Sequence, residues 1–264
     1  MPTIGTAASV DFIRVNELPA DYTKEYVIWR AKDQIREEIY NGCKIDVHIC
    51  KVEKDIETGK LYADCYICLV KEELLNKLTD LFEKSNLKVL SIDLTSHAVY
   101  NFISKSGILK ENCGFINIGY EVTTFYFFVD FEPVYVRIIE TAGKHFINEI
   151  IETVGERQLS RRAATEKLME QKIFPDKIDF DSLSEFESNK LKATDKFLKE
   201  LHITYEFFLS KYPHIKLSEL IISGGFGKIA NIKLFLENFF AVNVKLIENV
   251  DKIQYSPLFL NNEN

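Results

Sequence analysis

The sequence predicts an α/β protein in two parts: an α+β module of the strand, helix, strand, strand type over residues 1–93, and a larger α/β body over residues 94–264. Three observations predict it. Alternating and helix-spaced apolar residues follow one another over residues 1–93 in the order strand, helix, strand, strand, helix, strand. From Cys113 the pattern changes to long apolar runs divided by very short turns. Further on, "LIISGGFGKIANIKLFLENFF" carries an apolar run through glycines into an amphipathic helix.

The elements follow in order. "SVDFIRVNELP", Ser9 to Pro19, reads as a strand stopped by proline. "DYTKEYVIWRAKDQIREEIY" places Val27, Ala31, Ile35 and Ile39 on one helical stripe, with Asp21 or Thr23 as the cap. Ile45, Val47 and Ile49 alternate with Asp46, His48 and Cys50, "ETGK" supplies a turn, and "LYADCYICLV" returns as the second arm of a hairpin. A helix over Lys71 to Lys84 directs Leu74, Leu75, Leu78, Leu81 and Phe82 inward, and "LKVLSID" is expected to return as a strand. After a helix from Thr95 to Ile103, "CGFINIGYEVTTFYFFVDFEPVYVRIIETAG" forms three strands with turns at Gly119 to Val122 and at "DFEP", with Thr123, Phe125 and Phe127 on one face. Helices are expected over Lys144 to Val154, through "SRRAATEKLMEQ", and up to Tyr212. The acidic stretch "FPDKIDFDSLSEFESN" reads as a surface loop or part of a small peripheral subdomain.

Composition narrows the function classes. With 264 residues and 46% hydrophobic side chains the chain fills a core, so a disordered or fibrous protein is excluded. The net charge of −7 offers no global basic field for nucleic acid. No apolar run approaches the roughly 18 residues that span a bilayer, and the first residues lack the basic start and apolar core of a signal peptide. The expectation is a cytoplasmic chain with its five cysteines reduced. Cys65 and Cys68 invite a zinc or redox reading, but on a strand residues three apart face opposite ways, which leaves them as structural cysteines. The five histidines show no metal-ligand spacing. No metal ligand and no catalytic residue is assigned.

Two glycine turns carry the chemistry. "NIGYEVTT" admits two readings, a turn that presents backbone N–H groups and threonine hydroxyls to phosphate, or a tight hairpin in a sheet. "IISGGFG" also admits two: a flat ligand against the backbone at a helix N-terminus, or close packing of strand and helix.

The succession "INIGYEVTTFYFF", "EPVYVRIIETAGKHFINEI", "SRRAATEKLMEQ" and "LIISGGFGKIANIKLFLENFFAVNVKLIENV" resembles the second half of the actin-like ATPase superfamily, and within it the branch of the pilus assembly protein PilM and the cell-division protein FtsA. The first part agrees: "VDFIRVNELPADYTKEYVIWRAKDQI", the hairpin, and "EELLNKLTDLFEKSNLKVLSIDLTSHAVYNF" are similar to the inserted subdomain of that branch. The resemblance implies an actin-like (RNase H-like) half-body that binds ATP with Mg²⁺. Asn117, Gly119, Thr123 and Thr124 match its second phosphate loop. Gly224, Gly225 and Phe226 match its adenosine loop, Lys167 a residue lining base and ribose, and Gly143 a glycine after the third strand. Two departures count against turnover. Asn117 stands where the family has an aspartate that helps to hold Mg²⁺. No glycine-rich stretch like the first phosphate loop precedes Ser9. ATP binding is therefore expected to be weak or absent, with no hydrolysis.

The function that the resemblance implies is an adaptor of type IV pilus assembly, peripheral to the inner membrane, that takes the N-terminal tail of a PilN-like membrane protein in a groove beside the inserted subdomain. A homo-oligomer belongs to the same expectation. Tyr22, Tyr26 and Trp29 either line that groove or fill the core, and an open strand edge beside this aromatic helix is the expected receiver. The alternatives are an actin-like ATPase and an FtsA-like filament protein. The short polar ending "QYSPLFLNNEN" favours PilM over FtsA, which ends in an amphipathic membrane helix.

Overall fold

A computed structural model describes residues 8–93, 95–154, 159–174 and 192–247. The chain divides into two compact units, Met1–Phe102 with Glu132–Val136, and Ile103–Phe131 with Arg137–Asn264. Among the described residues the strands form two sheets, one of three strands and one of five.

Unit 1 opens with β1 (Ala8–Leu18), α1 (Lys24–Lys32) and α2 (Glu37–Tyr40), then the hairpin of β2 (Cys43–Lys54) and β3 (Leu61–Lys71), and α3 (Glu72–Lys84). β3 lies between β1 and β2, antiparallel to both. Alternation along β3 sends Ala63, Cys65, Ile67 and Leu69 to the face that packs with Val15, Leu18, Ile45 and Val47, and α1 seals that face with Val27 and Ala31. Each fully buried valine or leucine there contributes about 1.5–3 kcal/mol of transfer free energy. The hairpin turn is tied at Asp55, whose carboxylate accepts the N–H groups of Glu57 at 3.0 Å and Thr58 at 2.7 Å. Gly59 takes the positive φ of 69° that closes it.

Three expectations for this unit are corrected. The stretch expected as one helix over residues 21–40 is two: Thr23 does cap α1, accepting Tyr26 N–H at 3.2 Å, but the chain breaks after Asp33. At the break the Gln34 side chain donates to the Arg14 carbonyl of β1 at 2.9 Å, a tertiary anchor that periodicity does not contain. Second, "LKVLSID" is no strand: residues 87–93 are in no sheet, and without a neighbour an apolar segment has no ladder to join. Third, α3 forms as expected, but its apolar stripe is only partly covered: Leu74, Leu75 and Leu78 are half-buried. None of its residues is buried, and Leu81 and Phe82 are 60% and 42% exposed.

α4 (Thr95–Ser106) leads to the five-stranded sheet. This sheet contains β4 (Cys113–Ile118), β5 (Thr123–Val129), β6 (Glu132–Ile139), β7 (Glu219–Ser223) and β8 (Asn243–Leu246), in the order β6, β5, β4, β7, β8. β4 and β7 run parallel, as do β7 and β8, and β4 with β5 is antiparallel. β8 carried no strand expectation, being short and half polar. β5 is buried from Thr123 to Phe128, so both of its faces are covered. On one face Phe127 stacks on Phe208 with ring centroids 4.1 Å apart, and Phe125 meets Phe240 edge-on at 5.5 Å. On the other, Phe115 meets Tyr126 at 6.0 Å. The β5–β6 turn has positive φ at Asp130 (52°) and Phe131 (67°), the paired left-handed geometry that suits the twist of a hairpin. Such a conformation is costly for an aromatic residue. It is held by the Phe131 N–H bond to the Glu111 carbonyl at 3.0 Å and the Asp130 N–H bond to Asn112 Oδ1 at 3.2 Å.

The helices of this unit are α5 (Gly143–Val154), α6 (Arg161–Glu170), α7 (Lys192–Lys211) and α8 (Ile232–Phe240). Ser160 caps α6, accepting Ala163 N–H at 3.2 Å. Phe146 of α5 and Phe197 of α7 meet edge-on at 5.6 Å, and Phe174 stacks on Phe235 of α8 at 4.9 Å. The acidic loop expected over residues 174–189 falls, beyond Phe174, outside the described residues. Among the described residues no helix is long and apolar enough to cross a membrane.

Candidate functional site

Three turns meet at the carboxyl ends of the parallel strands β4 and β7, the place where open α/β sheets hold ligands. They are the turn of residues 119–122 after β4, the start of α5 at 141–145, and the turns of residues 224–231 after β7. Chain pairing is what brings them together. In the parallel register Asn117 lies opposite Ser223, and the Ser223 hydroxyl donates to Asn117 Oδ1 at 2.9 Å.

The main-chain groups of the turns bind one another. Gly119 N–H donates to the Val122 carbonyl at 3.0 Å. The Gly119 carbonyl accepts Gly143 N–H at 3.0 Å, and the Tyr120 carbonyl accepts Lys144 N–H at 2.9 Å. Phe226 N–H donates to the Ile118 carbonyl at 3.1 Å. The first amides of a helix are the usual donors to an anion; in α5 those of Gly143 and Lys144 are satisfied by carbonyls of the neighbouring turn. The start of α5 has a further tie. His145, three residues past the cap position Ala142, accepts Ala142 N–H at its Nδ1 at 3.2 Å, the role that Glu or Gln plays in a capping box. Burial first, then the charges of Lys144 and Lys196, hold the imidazole below its ordinary pKa of 6.5.

The glycines serve close approach of the chain to itself. A Cβ at Gly143 would lie 2.4 Å from the Phe226 ring, one at Gly119 would lie 2.9 Å from the Val122 carbonyl oxygen, and one at Gly224 would lie 2.3 Å from the Ile118 carbonyl oxygen. Gly225 meets nothing within 4 Å. Thr123 is fully buried and its hydroxyl donates to the Thr141 carbonyl at 2.9 Å, while Thr124 is 6% exposed. The structure thus gathers Asn117, Gly119, Thr123, Gly143, Gly224 and Phe226 at one place. Lys167 stands half-buried on α6, and the bonds that join the turns are made without it. The glycines of "SGGFG" do not open directly into a helix. Short i to i+3 turns, Gly227 N–H to Gly224 at 3.0 Å and Ile232 N–H to Ile229 at 3.2 Å, intervene before α8. The amide of Asn117 brings no charge toward a Mg²⁺-nucleotide, and the Thr123 hydroxyl and the Gly143 and Lys144 amides are engaged within the chain, whereas the Thr141 hydroxyl at the α5 start is buried without a hydrogen-bond partner among the described residues. Among the described residues no group of three His, Cys, Asp or Glu is placed to hold a metal ion.

Spacing alone missed the partners Ser223, Thr141 and His145. A serine immediately before the glycine pair was the available signal for the first. His145, one of the five histidines without metal-ligand spacing, accepts the cap-position N–H of α5.

On unit 1, Tyr22 and Tyr26 pack partly buried against the core, whereas Trp29 is 55% exposed, with Arg30 at 5.9 Å from its ring centroid. Trp29 is therefore a surface residue. The strand edge beside this helix is not open along its length, because the carbonyls of Arg14 and Asn16 on β1 accept side-chain bonds from Gln34 and Arg30 at 2.9 and 3.3 Å. Cys65 and Cys68 do lie on opposite faces, and burial pushes their thiols up to about 11 and about 12.

No curated relative matches the sequence. A solved PilM-PilN type IV pilus biogenesis complex is similar in fold with a TM-score of 0.63 at 18% identity, covering 91% of this chain and 66% of that one. The chain thus spans about two thirds of that relative's length. MreB5 of Spiroplasma citri bound to ADP matches with a TM-score of 0.48 at 19% identity over 67% of this chain and 61% of that one. The fold is actin-like. Residues 44–262 match the family described as type IV pilus assembly protein PilM, and the chain belongs to that family.

Proposed function

We propose that this chain is a scaffold and adaptor of type IV pilus assembly at the cytoplasmic face of the inner membrane, that it receives the N-terminal tail of a PilN-like protein on unit 1, and that its nucleotide site is degenerate. Family membership supports the pathway. The observation that carries the adaptor reading is the uncovered apolar surface of unit 1. Trp29 stands exposed on α1. On α3 Leu81 and Phe82 are exposed, and Leu87 and Leu90 beyond it are 56% and 87% exposed. Large apolar side chains left in water in number suit a surface that a partner covers. A tail that adds a main-chain strand to the β1 edge would find the Arg14 and Asn16 carbonyls taken, so docking through side chains at Trp29 is the favoured mode.

The test is fluorescence anisotropy with a labelled synthetic tail of the cognate PilN-like protein. Binding to the wild-type chain is expected, and Trp29→Ala should weaken it by about tenfold, the loss of a modest aromatic anchor of roughly 1.4 kcal/mol. The melting temperature should stay unchanged, because the indole is largely in water. No binding of any cognate tail at high micromolar concentration would overturn the adaptor reading. Full affinity in Trp29→Ala together with lost affinity in Leu81→Ser would move the site to α3.

A further inference from the structure

We propose that Phe226 is a built-in occupant of the cleft between the three glycine turns, so that the chain itself closes the place where its fold would hold a nucleoside. The inference rests on the degenerate-site reading above and gives it a specific cause. Three independent features of the geometry point to it.

The first is the seat of the ring. A Cβ on Gly143 would fall 2.4 Å from Phe226 Cδ2 and Cε2 and 2.5 Å from Cγ, so the ring lies flat against the Gly143 Cα. No other residue type at position 143 leaves room for it. The Tyr120 ring lies near it, its centroid 6.2 Å away and its plane tilted by 40°. An aromatic ring seated on a glycine backbone and near a second aromatic ring has surroundings like those a nucleobase finds in a binding site, and here a side chain of the same chain supplies the ring.

The second is the main-chain latch. The amides of Gly143, Lys144 and Phe226 donate to the carbonyls of Gly119, Tyr120 and Ile118. These three bonds fasten the α5 start and the β7 turn to the β4 turn and leave Phe226 half-buried over their junction. A ligand entering this space would displace the ring, and a phosphate reaching the α5 amides would have to break bonds already satisfied. The third is charge. In the β4 turn and at the α5 start, the groups that could meet a polyphosphate include the neutral Asn117 amide, bonded to Ser223, and Lys144, whose ammonium is paired with Glu121; Lys228 in the β7 turn is exposed. A pair already made offers less to an incoming anion than a free ammonium.

The consequence is a cleft ordered without a ligand, which suits a scaffold whose shape is constant. The seat predicts a specific coupling. Gly143→Ala should lower the melting temperature of the otherwise wild-type chain by roughly 5 °C, since the new methyl collides with the ring. In a Phe226→Ala background the same change should cost nothing or raise it slightly, because alanine is the better helix residue once the ring has gone. All four proteins of this cycle are melted with and without millimolar ATP, ADP or adenosine, each with Mg²⁺. The wild-type chain is expected to show no shift with any of them. Equal destabilisation by Gly143→Ala in both backgrounds would overturn the seat of the ring. Coupling as expected, together with stabilisation of the wild-type chain by nucleotide, would overturn the closure. In neither case is the adaptor reading touched, since it stands or falls on tail binding.

Discussion

Gly224→Ala and Gly225→Ala, adjacent changes in one turn, should behave in opposite ways. Gly224 has a φ of 90°, and a Cβ there would lie 2.3 Å from the Ile118 carbonyl oxygen and 2.8 Å from Asn117 Oδ1. That carbonyl has no freedom to swing away. It accepts Phe226 N–H at 3.1 Å, and it ends a strand paired on both sides. An L residue at such a φ costs about 1–2 kcal/mol. Forcing a methyl against fixed backbone adds about 1–3 kcal/mol. The sum is roughly 2–5 kcal/mol, and at ~2–4 °C per kcal/mol for a chain of this size the melting temperature should fall by on the order of 10 °C. At Gly225, by contrast, an added methyl meets nothing within 4 Å and φ lies outside the left-handed region. Its replacement should stay within about 0.5 kcal/mol of wild type. Thermal unfolding followed by far-ultraviolet circular dichroism measures both. If Gly225→Ala proves as destabilising as Gly224→Ala, or if Gly224→Ala is neutral, the claim that these glycines serve contact of the chain with itself is refuted.

Two further outcomes follow from titratable groups. His145 has a folded pKa below its ordinary 6.5, so the stability it contributes is complete above that value and is lost as pH falls through the lower folded value. His145→Gln keeps an acceptor for Ala142 N–H without a titrating group. Between pH 7 and 5 the wild-type melting temperature should therefore fall more steeply than that of the variant, and parallel curves would refute the cap. Burial pushes the thiols of Cys65 and Cys113 up to about 11. At pH 8 only about one molecule in a thousand then carries a given thiolate. Iodoacetamide should leave both intact in the folded chain and label them in urea, as mass spectrometry will show; rapid labelling of either in the native state would contradict their burial.

Much of the secondary structure was legible because a periodic pattern is a local property. The hairpin of β2 and β3 buries the residues that alternation selects, the apolar runs of β4 and β5 are buried on both faces, and α7 buries Phe197, Leu201 and Phe208 at helical spacing. The readings that failed depended on something outside the segment. The apolar residues of "LKVLSID" suit a strand, but a strand exists only beside another strand. The stripe of α3 is real, but a stripe is buried only if something covers it.

The site shows the same division. Its residue types could be read from the sequence: glycines where the backbone must come close, threonines at a turn, an asparagine in place of a carboxylate. Their roles could not, because Asn117 and Ser223 stand 106 positions apart and meet only through the parallel register of β4 and β7. A glycine that admits a ligand and one that admits a phenylalanine from the same chain look identical in sequence. Only the folded chain, by laying the Phe226 ring on Gly143 and turning the α5 amides onto the carbonyls of Gly119 and Tyr120, decides between them, since steric exclusion and hydrogen-bond satisfaction belong to atoms in contact and not to their order along the chain.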